Sequence, residues 1–194
     1  MNLKKIIISE TSGLISEIIG ISFIQKLVKI LYEESNFYNY KEERFLEFIE
    51  YIKTNEQVFT IELIKNECFI SGLSLTVNNV IEQYSKQKRF KIYRIFKEFV
   101  IEQNKEEFEL EKMYFMLNLL SLNDLEFLDK IDEYEREHEK ITTSPEMQIE
   151  KPEVINSITS LQSLGILFSI PALNGTNIYQ ITNFGQKFRN YVFK

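Results

Sequence analysis

The chain has no tryptophan, one cysteine (Cys68) and one histidine (His138) in 194 residues. A single cysteine excludes an intramolecular disulfide framework and fits a reducing cytosol. One cysteine and one histidine fall short of a His/Cys zinc site. The six glycines are scattered and build no phosphate-cradling loop. No Gly-x-Ser-x-Gly elbow occurs. Cys68 falls on an apolar helical stripe, where a buried structural thiol is the expectation. His138 stands among Glu135, Arg136, Glu137 and Glu139 and reads as a solvated surface residue. The acidic run Glu106, Glu107, Glu109 and Glu111 lacks the Glu-x-x-His partner element that a di-metal carboxylate site needs, and reads as a solvated helix face. No catalytic residue, cofactor or metal is therefore assigned, and the chain is not expected to be an enzyme.

Long apolar runs are also missing. None reaches the roughly 18 residues of a membrane-spanning helix. The opening Ile6-Ile7-Ile8 is too short for the core of a signal peptide. The expectation is a cytoplasmic protein with no membrane partner.

What is present is charge in blocks. The net charge is -6, which argues against a protein that coats nucleic acid. Residues 1–84 carry eight bases against twelve glutamates. Residues 85–104 reverse the sign, with six bases against two acids. Residues 105–150 carry five bases against fourteen acids, and residues 151–194 four against one. Residues 86–101 combine the basic block with aromatics as an amphipathic helix. Its apolar stripe is Phe90, Tyr93, Phe96 and Val100, flanked by Ile92 and Phe99. Lys86, Lys88, Arg89, Lys91, Arg94 and Lys97 are candidate contacts for a partner or nucleic acid. The alternative is a bundle helix whose basic edge faces the chain's own acidic helices at 106–111 and 132–139.

Apolar periodicity predicts further helices. Residues 13–32 are the most apolar, and Ile18, Phe23 and Leu27 form a candidate oligomer face. Ser35 to Tyr40 reads as a loop in which Phe37, Tyr38 and Tyr40 are candidate exposed aromatics. Helices are expected from Glu42 to Lys53 and from Phe59 to Ser71. Gly72 then serves as a cap or as a close helix crossing, and Val77 to Tyr84 continues the helical path. Glu106 to Leu120 reads as a helix whose apolar residues are Phe108, Leu110, Met113, Leu117 and Leu120. Ser121 and Asp124 have the spacing of a capping box. The helix that follows becomes nearly all charge from Asp132 to Lys140. Thr142-Thr143-Ser144-Pro145 is linker-like.

The last forty residues read as helix, glycine stop, hairpin and aromatic helix. Val154, Ile155, Ile158 and Leu161 close on Leu164-Gly165. Ile166 to Ile170 and Ile178 to Thr182 read as strands about a turn at Asn174 to Asn177. Phe184, Phe188 and Tyr191 lie on the final helix. That order is winged-helix-like, and such units bind DNA or protein. The helix at 153–164 contains no lysine or arginine. Asn156 and Ser160 are its candidate base contacts, and Lys187 and Arg189 lie past the hairpin.

Several of these segments together carry a resemblance. Glu42-Glu43-Arg44-Phe45-Leu46-Glu47-Phe48, Arg94-Ile95-Phe96-Lys97-Glu98-Phe99 and Phe108-Glu109-Leu110-Glu111-Lys112-Met113 form the first part. Leu119 to Leu125, Leu161 to Ile166 and Ile181-Thr182-Asn183-Phe184-Gly185-Gln186-Lys187-Phe188 form the second. The pattern resembles a group of bacterial and prophage proteins that includes those labelled abortive-infection alpha. The resemblance implies a setting of phage–host conflict, in defence or its inhibition, and no catalytic residues.

The fold expected is mostly α: a multi-helix bundle with a C-terminal winged-helix-like unit containing one β-hairpin. A helical body would occupy residues 1–104 and the C-terminal unit 105–194, with a candidate linker at 141–151. The function expected is non-enzymatic docking on a protein partner, with the protein as a candidate homodimer. A winged-helix DNA-binding transcription regulator and a membrane-active abortive-infection effector are the alternatives.

Overall fold

A computed structural model describes residues 39–55, 57–59, 63, 66–102, 107–138, 141–143, 151–172 and 176–193. The expected helix at 13–32, with Ile18, Phe23 and Leu27, lies outside the described residues, as do Phe37 and Tyr38. The protein is mostly helical, with a small antiparallel sheet near its C-terminal end. It divides into two compact units, Met1–Glu111 and Lys112–Lys194.

In the first unit, α1 spans Asn39–Thr54, α2 Glu67–Glu82 and α3 Lys86–Ile101. The predicted start of α2 at Phe59 is corrected to Glu67. Asn66 is the N-cap, its side-chain oxygen accepting from the backbone N–H groups of Cys68 and Phe69, which satisfies donors the helix cannot pair internally. Gly72 therefore sits inside α2 and caps nothing. It is the close crossing: a Cβ built there would stand 2.7 Å from Cε1 of Phe99. Cys68, in the first turn, is half-buried rather than buried. The core gathers on Phe96. The rings of Phe48, Phe59, Phe69 and Phe99 surround it with centroids 5.6–6.4 Å away, the spacing of favourable aromatic pairs.

The predicted stripe of α3 is rotated. Its buried residues are Arg89, Ile92, Tyr93, Ile95, Phe96, Phe99 and Val100, while Phe90 is exposed. On α4, Glu107–Leu119, the apolar residues divide between core and surface. Leu110, Met113, Leu117 and Leu120 are buried, but Phe108 is 70% exposed. It lies off the i, i+3, i+7 face that those residues share.

In the second unit, the run after Ser121 is two helices rather than one, α5 (Leu122–Asp129) and α6 (Ile131–His138). Ser121 and Asp124 form the reciprocal capping box. The expected linker is partly a strand, since β1 covers Ile141–Thr143. Three consecutive β-branched residues suit a pleated surface. Helix α7 (Pro152–Ser163) starts with proline at its first turn. It ends at Gly165, whose φ of 70° is left-handed. The Gly165 N–H donates to the Gln162 carbonyl and the Ile166 N–H to that of Leu161, which is a Schellman stop. Strands β2 (Leu167–Pro171) and β3 (Asn177–Ile181) form the hairpin. The sheet order is β1-β3-β2, all antiparallel. Helix α8 covers Asn183–Phe193.

Candidate docking surfaces

In the first unit the basic helix is held by one of its own cations. Arg89 donates from Nε and Nη2 to Oε2 of Glu47 on α1, at 3.0 and 2.7 Å. Its Nη1 donates to the carbonyls of Gln83 and Tyr84, at 3.1 and 3.0 Å. A single buried guanidinium thus fixes the α2–α3 turn against α1. Lys86 joins the same carboxylate at 3.3 Å. Burial acts to raise the Glu47 carboxyl, but the hydrogen bonds from Arg89 and Lys86 outweigh it and hold the group below its ordinary value. Beside them the Tyr93 hydroxyl is buried without a hydrogen-bond partner among the described residues. Burial, and then the Glu47 charge, push its phenol up to about 12, against the Arg89 cation.

Two expectations change here. Arg89 is a structural clamp rather than a partner contact. The acidic complement of the basic edge includes Glu47, on α1. Lys88, Lys91 and Lys97 are half-buried, and Lys86 and Arg94 are exposed. The outward stripe of α3 runs through Phe90, Arg94, Lys97 and Ile101, with the two apolar ends 47% and 48% exposed.

In the second unit, the Thr182 to Phe188 motif closes the hairpin onto α8. The Thr182 N–H donates to the Ile166 carbonyl, and its hydroxyl donates to that of Gly165. The same hydroxyl accepts from the Gly185 N–H, which caps α8. Glycine is required at 185 because a Cβ would stand 2.3 Å from the Ile166 carbonyl oxygen. Phe188, three residues on, is fully buried.

Several polar residues of α7 make hydrogen bonds within the chain, although Thr159, Gln162 and Ser163 stay exposed. Ser157 is buried. The hydroxyls of Thr159 and Ser163 donate to the carbonyls of Ile155 and Ser160 on their own helix. Gln162 donates to the Ser169 hydroxyl. Asn156 is exposed and Ser160 half-buried. Lys187 is half-buried. Arg189 is corrected as a contact: Nη1 chelates the Asp132 carboxylate at 2.8 Å, and Nη2 donates to the Asp129 carbonyl at 2.9 Å.

The sheet register sorts the hairpin into two faces. Leu167, Tyr179 and Ile141 point inward and are buried. Phe168 and Ile170 point outward, 42% and 39% exposed. Ile170 lies opposite Ile178, and Ile178 opposite Thr142. The outer face therefore groups Phe168, Ile170 and Ile178 with the polar Gln180, opposite Phe168, and Thr142. On α4, Phe115 and Leu119 add a second exposed apolar pair, behind Lys112, whose ammonium lies 3.9 Å from the Phe184 ring centroid.

Among the described residues, no helix is long and apolar enough to cross a membrane, and no group of three or more His, Cys, Asp or Glu is placed to hold a metal ion. No family model, curated protein or solved structure matches the chain.

Proposed function

We propose that the chain is a non-enzymatic, cytoplasmic protein-binding factor that works by docking on a protein partner. The observation that carries this is the outer sheet face. Phe168 and Ile170 stand exposed beside Ile178, on a unit whose Arg189 is tied to Asp132. Exposed apolar residues grouped on one face are what interaction surfaces present. The resemblance to the abortive-infection alpha group supplies the setting, conflict between phage and host.

The test is co-purification of tagged protein from its native host, with and without phage, half of each sample treated with nuclease. A stoichiometric protein that survives nuclease, and is lost from Phe168→Ser/Ile170→Ser, is the expected result. No such partner would sink the proposal.

A winged-helix DNA reader is the second reading, favoured by the order of α7, the hairpin and a third strand paired to β3. Against it, α7 contains no lysine or arginine to meet phosphate. A salt-sensitive mobility shift lost on nuclease treatment would move the assignment there. For the membrane-active alternative, flotation with liposomes is the deciding result.

A further inference from the structure

Charge is missing from one whole stretch of the second unit. Between Glu153 and Lys187 no Asp, Glu, Lys or Arg occurs, in a chain that is 27% charged. That stretch supplies most of α7 and both strands of the hairpin. The outer sheet face is built from it, with Thr142 of β1 added. Phe168, Ile170 and Gln180 of that face are exposed, and Ile178 and Thr142 are half-buried.

Every one of these side chains can pair with its own kind. Apolar groups pack on apolar groups, and an amide or a hydroxyl both donates and accepts. A twofold contact asks for that property, because it sets the same patch against itself. A charged patch fails there: the exposed Asp129, Glu133 and Glu135 of α5 and α6 would meet like charges. In a chain of net charge -6, the outer sheet face offers two copies a contact without that penalty. Other occupants gain less. Phosphate, in nucleic acid or at a lipid surface, needs cations, and none of these side chains is one. A charged peptide would find no counter-charge among them. Area sets the strength. Three strands at the usual spacing and five residues of rise make a face about 14 Å by 17 Å. Two such faces fall below the roughly 1,200 Å² of a stable interface, so the contact is weak and reversible.

Resting on the docking reading above, we propose that the partner of this face is a second copy of the chain, packed sheet against sheet about a twofold axis. The test is sedimentation of the full chain over a concentration series, at low and high salt. A monomer–dimer equilibrium in the micromolar range is expected, shifting less than about threefold with salt. Phe168→Glu/Ile170→Glu should weaken it about tenfold or more, and so should Phe168→Lys/Ile170→Lys. Mixing the two variants should restore the dimer, which separates a blocked face from a lost fold. The milder Phe168→Ser/Ile170→Ser adds no charge and should weaken the dimer too. Tagged chain should recover untagged chain from the native host.

A wild type that stays monomeric through the concentration series would overturn the proposal. So would a dimer unchanged in Phe168→Ser/Ile170→Ser, or charged variants that keep the wild-type circular dichroism yet stay monomeric when mixed. A different protein captured by a monomeric wild type, and lost from Phe168→Ser/Ile170→Ser, would overturn the self-contact while leaving the docking reading standing. A monomeric wild type that captures nothing would remove both.

Discussion

Arg89 and Glu47 lie 42 residues apart in sequence and meet at 2.7 Å with the guanidinium buried. The same guanidinium holds the Gln83 and Tyr84 carbonyls, so its loss strands two backbone acceptors and leaves the Glu47 carboxylate with Lys86 alone. Arg89→Ala is expected to cost about 2–4 kcal/mol. Arg89→Lys should recover only part of this, because an ammonium cannot present the fork. Urea denaturation checks both. An unchanged midpoint in Arg89→Ala would show that the clamp contributes nothing.

The acid limb of the stability profile follows from the same pair. Glu47 is held below its ordinary 4.5. Its contribution is therefore present above that value and is lost as pH falls through the lower folded-state value. Glu47→Gln should flatten the decline below about pH 4.5. A decline just as steep in the variant would assign it to other carboxyls.

Tyr93 acts at the other end of the scale. Its folded-state value of about 12 lies above the ordinary 10.0. The stability it contributes is intact below pH 10 and is lost as pH rises through 12. Tyr93→Phe should shrink that alkaline loss. At neutral pH it should be neutral or stabilising by about 1 kcal/mol, because an unpartnered buried hydroxyl is removed. A destabilised variant at pH 7 would mean the hydroxyl has a partner.

The two close glycines should differ. At Gly72 the new methyl would meet the edge of the Phe99 ring, a side chain able to shift, so Gly72→Ala is expected to cost about 1–3 kcal/mol. At Gly185 it would meet the Ile166 carbonyl, which the Thr182 N–H fixes in place. Gly185→Ala should cost more than Gly72→Ala and should loosen α8, read by hydrogen exchange of its amides. The reverse ranking would contradict the geometry.

How far the sequence could be read depended on which signal each element used. Helix α3 was legible because its apolar period runs unbroken. The Schellman stop was legible because only glycine suits the left-handed position. Arg89 is not, because a charged side chain on a helix ordinarily marks the surface. Yet it stands three and four residues before Ile92 and Tyr93, so period alone places it inward and Phe90 outward. Strand β1 was hidden because three residues give too short a pattern. Its β-branched run Ile141-Thr142-Thr143 was the only local cue, and the partner that makes it a strand, β3, lies more than thirty residues on. Of the expected contact set, Arg89 and Arg189 are bound within the fold, a fate that charge counting could not foresee.

That pairing of β1 carries its own prediction. Ile141 is buried opposite Tyr179, so Ile141→Asp should destabilise the second unit by about 3–5 kcal/mol. An exposed linker would tolerate the change, and a full-stability variant would restore that view.

Strand β1 also ties two distant stretches of the second unit together. Ile141–Thr143 pair with Asn177–Tyr179, so the residues just after α6 and the return strand of the hairpin are joined by a ladder as well as by the chain, and a disturbance of either strand is felt by the other.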